Sequence, residues 1–421
     1  MNEKKASVQD VDSLGGPKPF ADGIILSDPQ AQVRKMTNAY RIIRERTLAQ
    51  GRDSIYNLTG LVRAFPLDPE DLPALSSEMG FIAYFEGRAE PLAIEHMGAD
   101  AKYHDAVVCN RVTAGMLGIM LALVKKGDRV LSLVPQGRSH PSVQKAVELA
   151  GGTIREVQGM AAMEEALEGG RWNMLVITPI TPQKYHLPAV DVGRAIALAK
   201  DLGMLVIADD AHMTSRMFAH NEAPTFGLGE FDAGVWSLDK HFPGPRSGVV
   251  VGSKDLLSSI RSAVFEHGLE AQSGHYVAGL RAMESFDPQA IRDACDLGRQ
   301  LLERLQKKYG KAVYPAGPGV AISAEDLHTI VLKRANTGAT ALIPGEVSTA
   351  ACFDMLNRYG IVTICVTGMP GASPTFRLLM HPDGHRLGIG GIEEATEVAI
   401  DTVAGLLNEP EEASRLILGA D

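Results

Sequence analysis

The sequence has few cysteines, no long apolar run and no excess of positive charge. Its four cysteines, at positions 109, 295, 352 and 365, show no short paired spacing. They predict free thiols in a reducing compartment, with neither a disulfide framework nor a zinc site. No uninterrupted apolar stretch reaches the roughly 18 residues that a transmembrane helix needs. The formal net charge of -10 argues against a general nucleic-acid surface, although a local patch for tRNA stays open.

The polar stretch Met1–Lys5 also lacks the apolar core of a signal peptide, so we predict a cytoplasmic protein. A chain of 421 residues allows one large domain and a smaller one. We predict an N-terminal arm and helix at 1–54, a large domain at 55–284, and a connecting helix with a small α/β domain at 285–421. Within the arm, residues 1–27 are polar and predict a loose segment, and 29–50 have near-helical apolar spacing.

Between about 105 and 255, apolar strand patterns alternate with helical patterns. Helices are predicted at 142–150 and 191–202, each stopped by a glycine. The predicted strands are 129–134, 174–178, 204–209, 233–238 and 248–253. Near-continuous apolar strands separated by helices predict a mostly parallel sheet covered on both faces. The fold class is therefore α/β.

Two of these strands end in residues that suit one cofactor. The strand at 204–209 ends in Asp209, and the strand at 233–238 is followed by Lys240. In a parallel sheet both residues lie at the carboxyl edge, where open α/β sheets bind ligands. An acid that pairs with a ring nitrogen and a lysine that forms a Schiff base predict pyridoxal phosphate (PLP).

Small residues at a strand-to-helix turn suggest where the cofactor phosphate binds. Thr113, Ala114 and Gly115 open a helix, and helix N-termini favour anions. Ser237, three residues before Lys240, could add a hydroxyl, although a serine at a strand end often bonds only to backbone.

Two histidines follow predicted strands and are candidates for contacts with the cofactor ring. His140 lies in the turn Gly137–Pro141 and could stack on one face of the ring. His212 follows Asp209 by three residues and could bond near the ring hydroxyl or shape the pocket. Either could also be purely structural.

Arg377 lies in the otherwise apolar stretch 375–380 of the predicted small domain. A buried arginine needs an anionic partner. We predict the α-carboxylate of an amino-acid substrate, held bidentately, with an internal salt bridge as the alternative. The histidines around Pro382 are too few to predict a metal.

The motif around the lysine resembles that of fold-type I PLP enzymes, in two branches. Serine hydroxymethyltransferases share the following residues: Asp209, Ala211, His212, Lys240, Gly244, Pro245 and Arg246. The selenocysteine synthase (L-seryl-tRNA selenium transferase) group shares Ser237, Asp239, Lys240, Gly244 and Pro245. Stretches at 56–61, 110–114 and 139–142 look like archaeal members of that second group. The resemblance implies the aspartate aminotransferase-like fold, with a mostly parallel central sheet and a smaller C-terminal α/β domain.

The resemblance also implies chemistry at Cα and Cβ of an amino acid or amino sugar acid. We expect β-elimination or β-replacement through a Lys240 Schiff base, in which the freed lysine acts as the general base. Retro-aldol cleavage of a β-hydroxy amino acid is the second possibility, with His140 or His212 as the base. Aminotransferase or racemase activity, and a non-catalytic PLP-binding protein, stay open. A homodimer or larger assembly is implied, in which Tyr56 or Tyr84 could reach the neighbouring subunit's site.

Overall fold

The computed structural model describes residues 23–368 and 373–419. The loose arm predicted at 1–27 therefore lies largely outside the described residues. The α-helices are α1 (Pro29–Gln50), α2 (Asp71–Ala74), α3 (Glu78–Tyr84), α4 (Ala89–His96), α5 (Val112–Leu123), α6 (Pro141–Leu149), α7 (Gly159–Glu168), α8 (Ala189–Asp201), α9 (Met213–His220), α10 (Lys254–Glu266), α11 (Ser273–Glu284), α12 (Gln289–Tyr309), α13 (Ala324–Arg334), α14 (Pro344–Tyr359), α15 (Ile364–Thr367), α16 (Gly384–Leu406) and α17 (Pro410–Leu418). The strands are β1 (Tyr56–Asn57), β2 (His104–Cys109), β3 (Arg129–Val134), β4 (Thr153–Gln158), β5 (Met174–Ile177), β6 (Leu205–Asp209), β7 (Ala233–Ser237), β8 (Gly248–Ser253), β9 (Val313–Pro315), β10 (Gly319–Ile322), β11 (Ile361–Val362) and β12 (Phe376–Leu379).

The central sheet has the strand order β2-β8-β7-β6-β5-β3-β4. Its strands run parallel except for β8, which is antiparallel to both β2 and β7. The inner strands are mostly apolar because helices cover both faces. All five strands predicted from the sequence are present, so the expected α/β class with a mostly parallel sheet is confirmed.

Strand β4 carries too little apolar sequence to be recognised as a strand. It pairs with β3 alone at the edge of the sheet, and most of its side chains are exposed. An edge strand with one solvated side needs few apolar residues, so its sequence resembles a loop. The helix predicted at 285–309 is also shorter than expected, because α11 ends at Glu284 and α12 begins at Gln289.

The small domain is built on the antiparallel sheet β12-β10-β9, which packs against α12 and α14, and α13 and α16 pack in turn on α14. The N-terminal segment joins the same core: Ala39 and Ile42 of α1 are buried with Phe353 and Ile417. Strand β1 pairs in parallel with β11. Residues 25–58 therefore pack with the C-terminal part of the chain. The boundaries at 54/55 and 284/285 stay predictions.

The two parts of the chain meet at the carboxyl edge of the central sheet. Leu61 forms an antiparallel bridge with Lys240, and the Tyr314 hydroxyl donates to the carbonyl of Gln183 at 3.0 Å. Loops that follow the strand ends of the large sheet thus contact the small domain directly. Among the helices of the described residues, none has both the length and the apolar character that crossing a membrane requires.

Candidate active site

The two aspartates at the end of β6 have different environments. Asp210 forms an ion pair with Arg216 at 2.5 Å, both side chains are fully buried, and Thr225 also donates to it at 2.9 Å. Asp209 accepts a hydrogen bond from the Thr178 hydroxyl at 3.2 Å. Burial raises the pKa of Asp209 to about 6, although the Lys240 ammonium and the Thr178 hydrogen bond oppose the rise. Of the two acids, Asp209 therefore has the carboxylate that an incoming cation would stabilise most.

Lys240 follows β7, the strand next to β6. The pKa of its ammonium lies below the usual range, because burial outweighs the opposing charges of Asp239 and Asp209. Its backbone is held by the bridge to Leu61, and the next residue, His241, donates its N–H to the carbonyl of Gly60 at 2.8 Å. The structure thus brings together the acid and the lysine that the sequence predicted to share one site.

The start of α5 lies at the same edge of the sheet. Its N-cap residue Arg111 makes no side-chain capping bond, so the first helical N–H groups have no cap of this kind. The helix approaches the sheet closely at Gly248, where an added Cβ would lie 2.7 Å from the Val112 nitrogen. Glycine is required there to admit the helix end. Thr113, Ala114 and Gly115 consequently lie in the first turn of a helix that starts beside β8.

Ser237 is more constrained than its sequence position indicates. Its hydroxyl donates to Asp239 at 2.6 Å, and Asp239 in turn lies 3.3 Å from the Arg63 guanidinium. The hydroxyl has one proton, which this bond uses. Binding a phosphate through Ser237 would require the hydroxyl to turn away from Asp239.

His140 and His212 are both close to the site, and both are held by local bonds. His140 caps α6, where its Nδ1 accepts from the backbone N–H of Ser142 at 3.2 Å. Burial, and then the charges of Lys240 and Arg111, lower the pKa of His140 to about 4. The Nδ1 atom of His212 lies 3.0 Å from the Lys184 ammonium, and burial holds the pKa of His212 well below its usual range. Both imidazoles are neutral at physiological pH.

Arg377 extends from β12 of the small domain to the loop after β5. It donates to the carbonyl of Pro182, while its Nε atom is buried without a hydrogen-bond partner. Burial lowers the pKa of this guanidinium. Within the described residues Arg377 has no carboxylate partner, so the alternative of an internal salt bridge finds no support in the structure.

Two residues of the site were missed from the sequence. Lys184 is buried in the loop after β5, and His241 is buried with a backbone φ of +57° and both ring nitrogens unpaired. The sequence shows that Lys184 follows a third strand of the sheet, which is one sign of a site residue. Its burial, however, results from tertiary packing that the sequence does not show. His241 directly follows Lys240 in the sequence, but no local pattern indicates a role for it.

The two tyrosines predicted at the site are not part of it in the single chain. The Tyr56 ring lies 5.0 Å from the Arg386 guanidinium in the small domain. Tyr84 ends α3 and is 66% exposed. Neither has a described contact with Lys240, Asp209 or Arg377.

The arrangement fits PLP on three counts. A buried acid with a raised pKa needs a cation, which the protonated ring nitrogen would supply to Asp209. A helix start without a side-chain cap is available for the phosphate. Buried donors without partners, at Arg377 and His241, are available for polar groups of a ligand.

Comparisons with known proteins agree with this fit. Residues 311–388 match the UPF0425 C-terminal domain family. A "UPF0425 pyridoxal phosphate-dependent protein" from Methanothermobacter thermautotrophicus is 34% identical over 399 residues, covering 94% of this chain and all of that protein. A protein of the same name from Methanosphaera stadtmanae is 29% identical and covers 82% of this chain and 88% of its own. A serine hydroxymethyltransferase from Halobacterium salinarum is 26% identical over 231 residues, half of this chain and 53% of that protein.

Solved structures show the same fold at low sequence identity. The N-succinyldiaminopimelate aminotransferase of Mycobacterium tuberculosis has a TM-score of 0.57 at 17% identity, covering 88% of this chain and 96% of its own. The serine palmitoyltransferase of Sphingomonas wittichii has a TM-score of 0.59 at 14% identity, covering 83% and 88%. The aspartate aminotransferase-like, fold-type I expectation is confirmed, and the expectation of a PLP enzyme is confirmed at the level of the family. This chain belongs to the family of UPF0425 pyridoxal phosphate-dependent proteins.

Proposed function

We propose that this protein is an enzyme that holds PLP covalently on Lys240 and acts at Cα and Cβ of an amino acid or amino sugar acid. The strongest support is the position of Asp209 at the end of β6 and of Lys240 just after the adjacent strand β7, at the same edge of the sheet. Bound PLP supplies an electron sink for negative charge that develops at the substrate Cα.

We assign the binding of the cofactor and of the substrate to the surrounding residues. Asp209 would keep the ring nitrogen protonated, and the backbone N–H groups of Thr113 and Ala114 would bind the phosphate, while the Gly115 N–H already donates to the Arg111 carbonyl at 3.0 Å. The neutral ring of His140 would contact the cofactor face. The buried Nε of Arg377 would donate to the substrate α-carboxylate, which removes the cost of an unpaired buried guanidinium.

Our leading reaction is β-elimination or β-replacement, as in the selenocysteine synthase-like group that the lysine motif resembles. Lys240 Nζ would take the α-proton, since its lowered pKa leaves more free amine at neutral pH. The leaving group then departs from Cβ. Retro-aldol cleavage needs a base at the β-hydroxyl instead. His140, with a pKa near 4, and His212, with a pKa well below its usual range, are weak proton acceptors, which disfavours that alternative.

The cofactor assignment is tested by the absorbance of the purified protein with added PLP. We expect a visible band that is lost in Lys240→Ala and retained in the control Lys254→Ala, an exchange at the start of α10 beside a different strand. Absence of the band from the wild-type protein would contradict the proposal.

The reaction is tested by the products formed from serine, threonine, phosphoserine and phosphorylated amino sugar acids. Elimination yields a keto acid and ammonia in equal amounts, whereas aldol cleavage yields glycine and an aldehyde. Glycine as the main product would favour the hydroxymethyltransferase alternative. A new amino acid from an added keto acid would favour an aminotransferase, and loss of optical activity a racemase. Cofactor binding without any turnover would leave the non-catalytic alternative.

We also propose a homodimer in which Tyr84 approaches the neighbouring subunit's site. The exposure of Tyr84 on α3 supports this, since a single chain gives its ring no partner in the site. A mixed dimer that carries Tyr84→Phe in one subunit and Lys240→Ala in the other should keep activity in its remaining Lys240 site, because the Lys240→Ala subunit supplies that site with an intact Tyr84, whereas the Tyr84→Phe homodimer should lose activity. Loss of activity in the mixed dimer would argue against the shared site. The four buried free cysteines support a cytoplasmic location, and the net charge of -10 supports a small-molecule substrate over a nucleic acid.

A further inference from the structure

We propose that the substrate carries a second acidic group besides its α-carboxylate, and that Lys184 binds it beside Arg377. This inference rests on the proposed function, because it assigns the substrate class of the same site. The residue lies in the loop between β5 and α8 and was not recognised from the sequence. The residue is 5% exposed, and its Nζ atom lies 3.0 Å from Nδ1 of the buried His212, away from bulk water.

The loop that carries Lys184 is rigidly built. Lys184 has a backbone φ of +74°, a conformation that costs a non-glycine residue roughly 1 kcal/mol. Its N–H donates to the Thr181 carbonyl at 2.9 Å, and the Thr181 N–H donates to the Tyr185 carbonyl at 3.1 Å. Arg377 and the Tyr314 hydroxyl bind the loop from the small domain. The unfavourable φ of Lys184 is therefore maintained by hydrogen bonds from its own loop and from the small domain. These bonds fix the position of the Lys184 side chain.

Lys184 has no acidic partner within the described residues. Its amine is bonded to the neutral Nδ1 of His212 at 3.0 Å. The charged or titratable groups that face it are Arg377, Lys240, His212 and His241, and none of them is an acid. The buried acids nearby are committed elsewhere: Asp209 to Thr178, Asp210 to Arg216, and Asp239 to Ser237 and Arg63.

Arg377 is a buried cation without an anion, and burial also disfavours the charged form of Lys184, because an uncompensated buried charge loses its hydration. Burial, and then the charges of Arg377 and Lys240, hold the pKa of Lys184 well below its usual range. One carboxylate satisfies Arg377. A second acidic group on the same ligand would let Lys184 regain its proton and form a charge-assisted bond. Unpaired nitrogens of His241 and Arg377 add donors to the same place.

The cofactor phosphate is not this second anion. Its predicted site at the start of α5 lies against β8, where Val112 meets Gly248. Strand β5, which precedes the Lys184 loop, lies three positions from β8 in the sheet. Three strand spacings amount to roughly 14 Å. The acid that Lys184 binds therefore belongs to the substrate.

The test is equilibrium binding of four ligands to the PLP-loaded protein, measured by calorimetry and by the change in visible absorbance. Alanine and serine carry one acidic group, while aspartate and phosphoserine carry a second. We expect the wild-type protein to bind aspartate, phosphoserine or both at least about tenfold more tightly than alanine and serine. The aspartate and phosphoserine arms distinguish a carboxylate from a phosphate. Lys184→Met should abolish the preference and leave alanine binding within about twofold, whereas Lys184→Arg should keep part of it.

Calorimetry in two buffers of different ionisation enthalpy adds a readout that a purely structural lysine would not change. Binding of the preferred ligand should take up more protons in the wild-type protein than in Lys184→Met, because the second acidic group favours the charged form of Lys184. The exposed Lys145→Met serves as the matched control. Equal affinity for all four ligands in the wild-type protein, or an equal loss for all four in Lys184→Met, overturns the inference. Failure of the protein to show a visible band with PLP overturns the proposed function itself, and this inference with it.

Discussion

Asp209 and Asp210 are neighbours in the sequence, and the same exchange to asparagine should have opposite effects on stability. In the protein without PLP, the pKa of Asp209 rises from its usual 3.8 to about 6. A folded-state pKa above the unfolded value means that the ionised carboxylate destabilises the folded protein. The shift corresponds to about 3 kcal/mol above pH 6, and the cost disappears as the pH falls towards 4. Asp209→Asn should therefore stabilise the PLP-free protein by up to about 3 kcal/mol at pH 8 and have no effect near pH 4.

Asp210→Asn removes one partner of a fully buried ion pair. Arg216 would keep its bonds to Glu222 at 3.1 Å and to the Ala223 carbonyl at 2.8 Å, but it would lose its closest anion. Leaving one charge of a buried pair uncompensated costs about 3–5 kcal/mol. We expect the free energy of unfolding at pH 8 to fall by about that amount.

Both effects are measurable by urea denaturation of the PLP-free protein, followed by tryptophan fluorescence. Trp236 lies in β7 beside β6, so it reports on this part of the sheet. Asp201→Asn, an exchange of an exposed residue at the end of α8, is the matched control. With PLP added, Asp209→Asn should keep its visible band through Lys240 and lose turnover, whereas folded Asp210→Asn should keep both. Equal destabilisation by the two exchanges would refute the assignment of separate roles.

Three further predictions concern the neighbours of Lys240 and the helix start. His140→Asn, which keeps a capping side chain for α6, should weaken PLP binding but leave the pH–rate profile between about pH 5 and 8 unchanged, because His140 is neutral there; disappearance of a limb in that range would contradict this. Gly248→Ala should raise the PLP dissociation constant, measured by fluorescence titration, because the new Cβ would lie 2.7 Å from the Val112 nitrogen; unchanged affinity would argue against phosphate binding at α5. Gly60→Ala should destabilise the protein by about 1–3 kcal/mol in thermal or urea unfolding. The new Cβ would lie 2.5 Å from His241 Cε1, and the φ of +73° is unfavourable for alanine. A normal melting temperature would show that His241 can move aside.

The sequence predicted most of the central sheet because each inner strand is a short, mostly apolar run. The end of such a run shows directly which residues reach the carboxyl edge, and Asp209 and Lys240 could be found for that reason. Strand β4 escaped because edge strands need little apolar sequence. Lys184 escaped because its burial depends on Tyr314 and Arg377, which lie more than a hundred residues further along the chain.

Other site features depend on bonds that no local pattern reveals. Ser237 has the right spacing from Lys240 for a phosphate contact, yet its proton is used by Asp239. The choice between Asp209 and Asp210 rests on Arg216, six residues away on α9, which neutralises one and not the other. Tertiary contacts, and not residue type, decide which polar groups are left for a ligand.

The packing of α1 and β1 with the C-terminal helices has a consequence for how the chain folds during synthesis. Residues 25–58 leave the ribosome before the large domain does, but their partners, including β11 and α17, are made more than 300 residues later. The large domain between them closes its sheet with contacts from within its own segment. We therefore expect the large domain to fold while synthesis continues, with the apolar face of α1 unpartnered until the last helix emerges. Arg377 on β12 then joins the part of the site around Lys240 only after the large domain has folded.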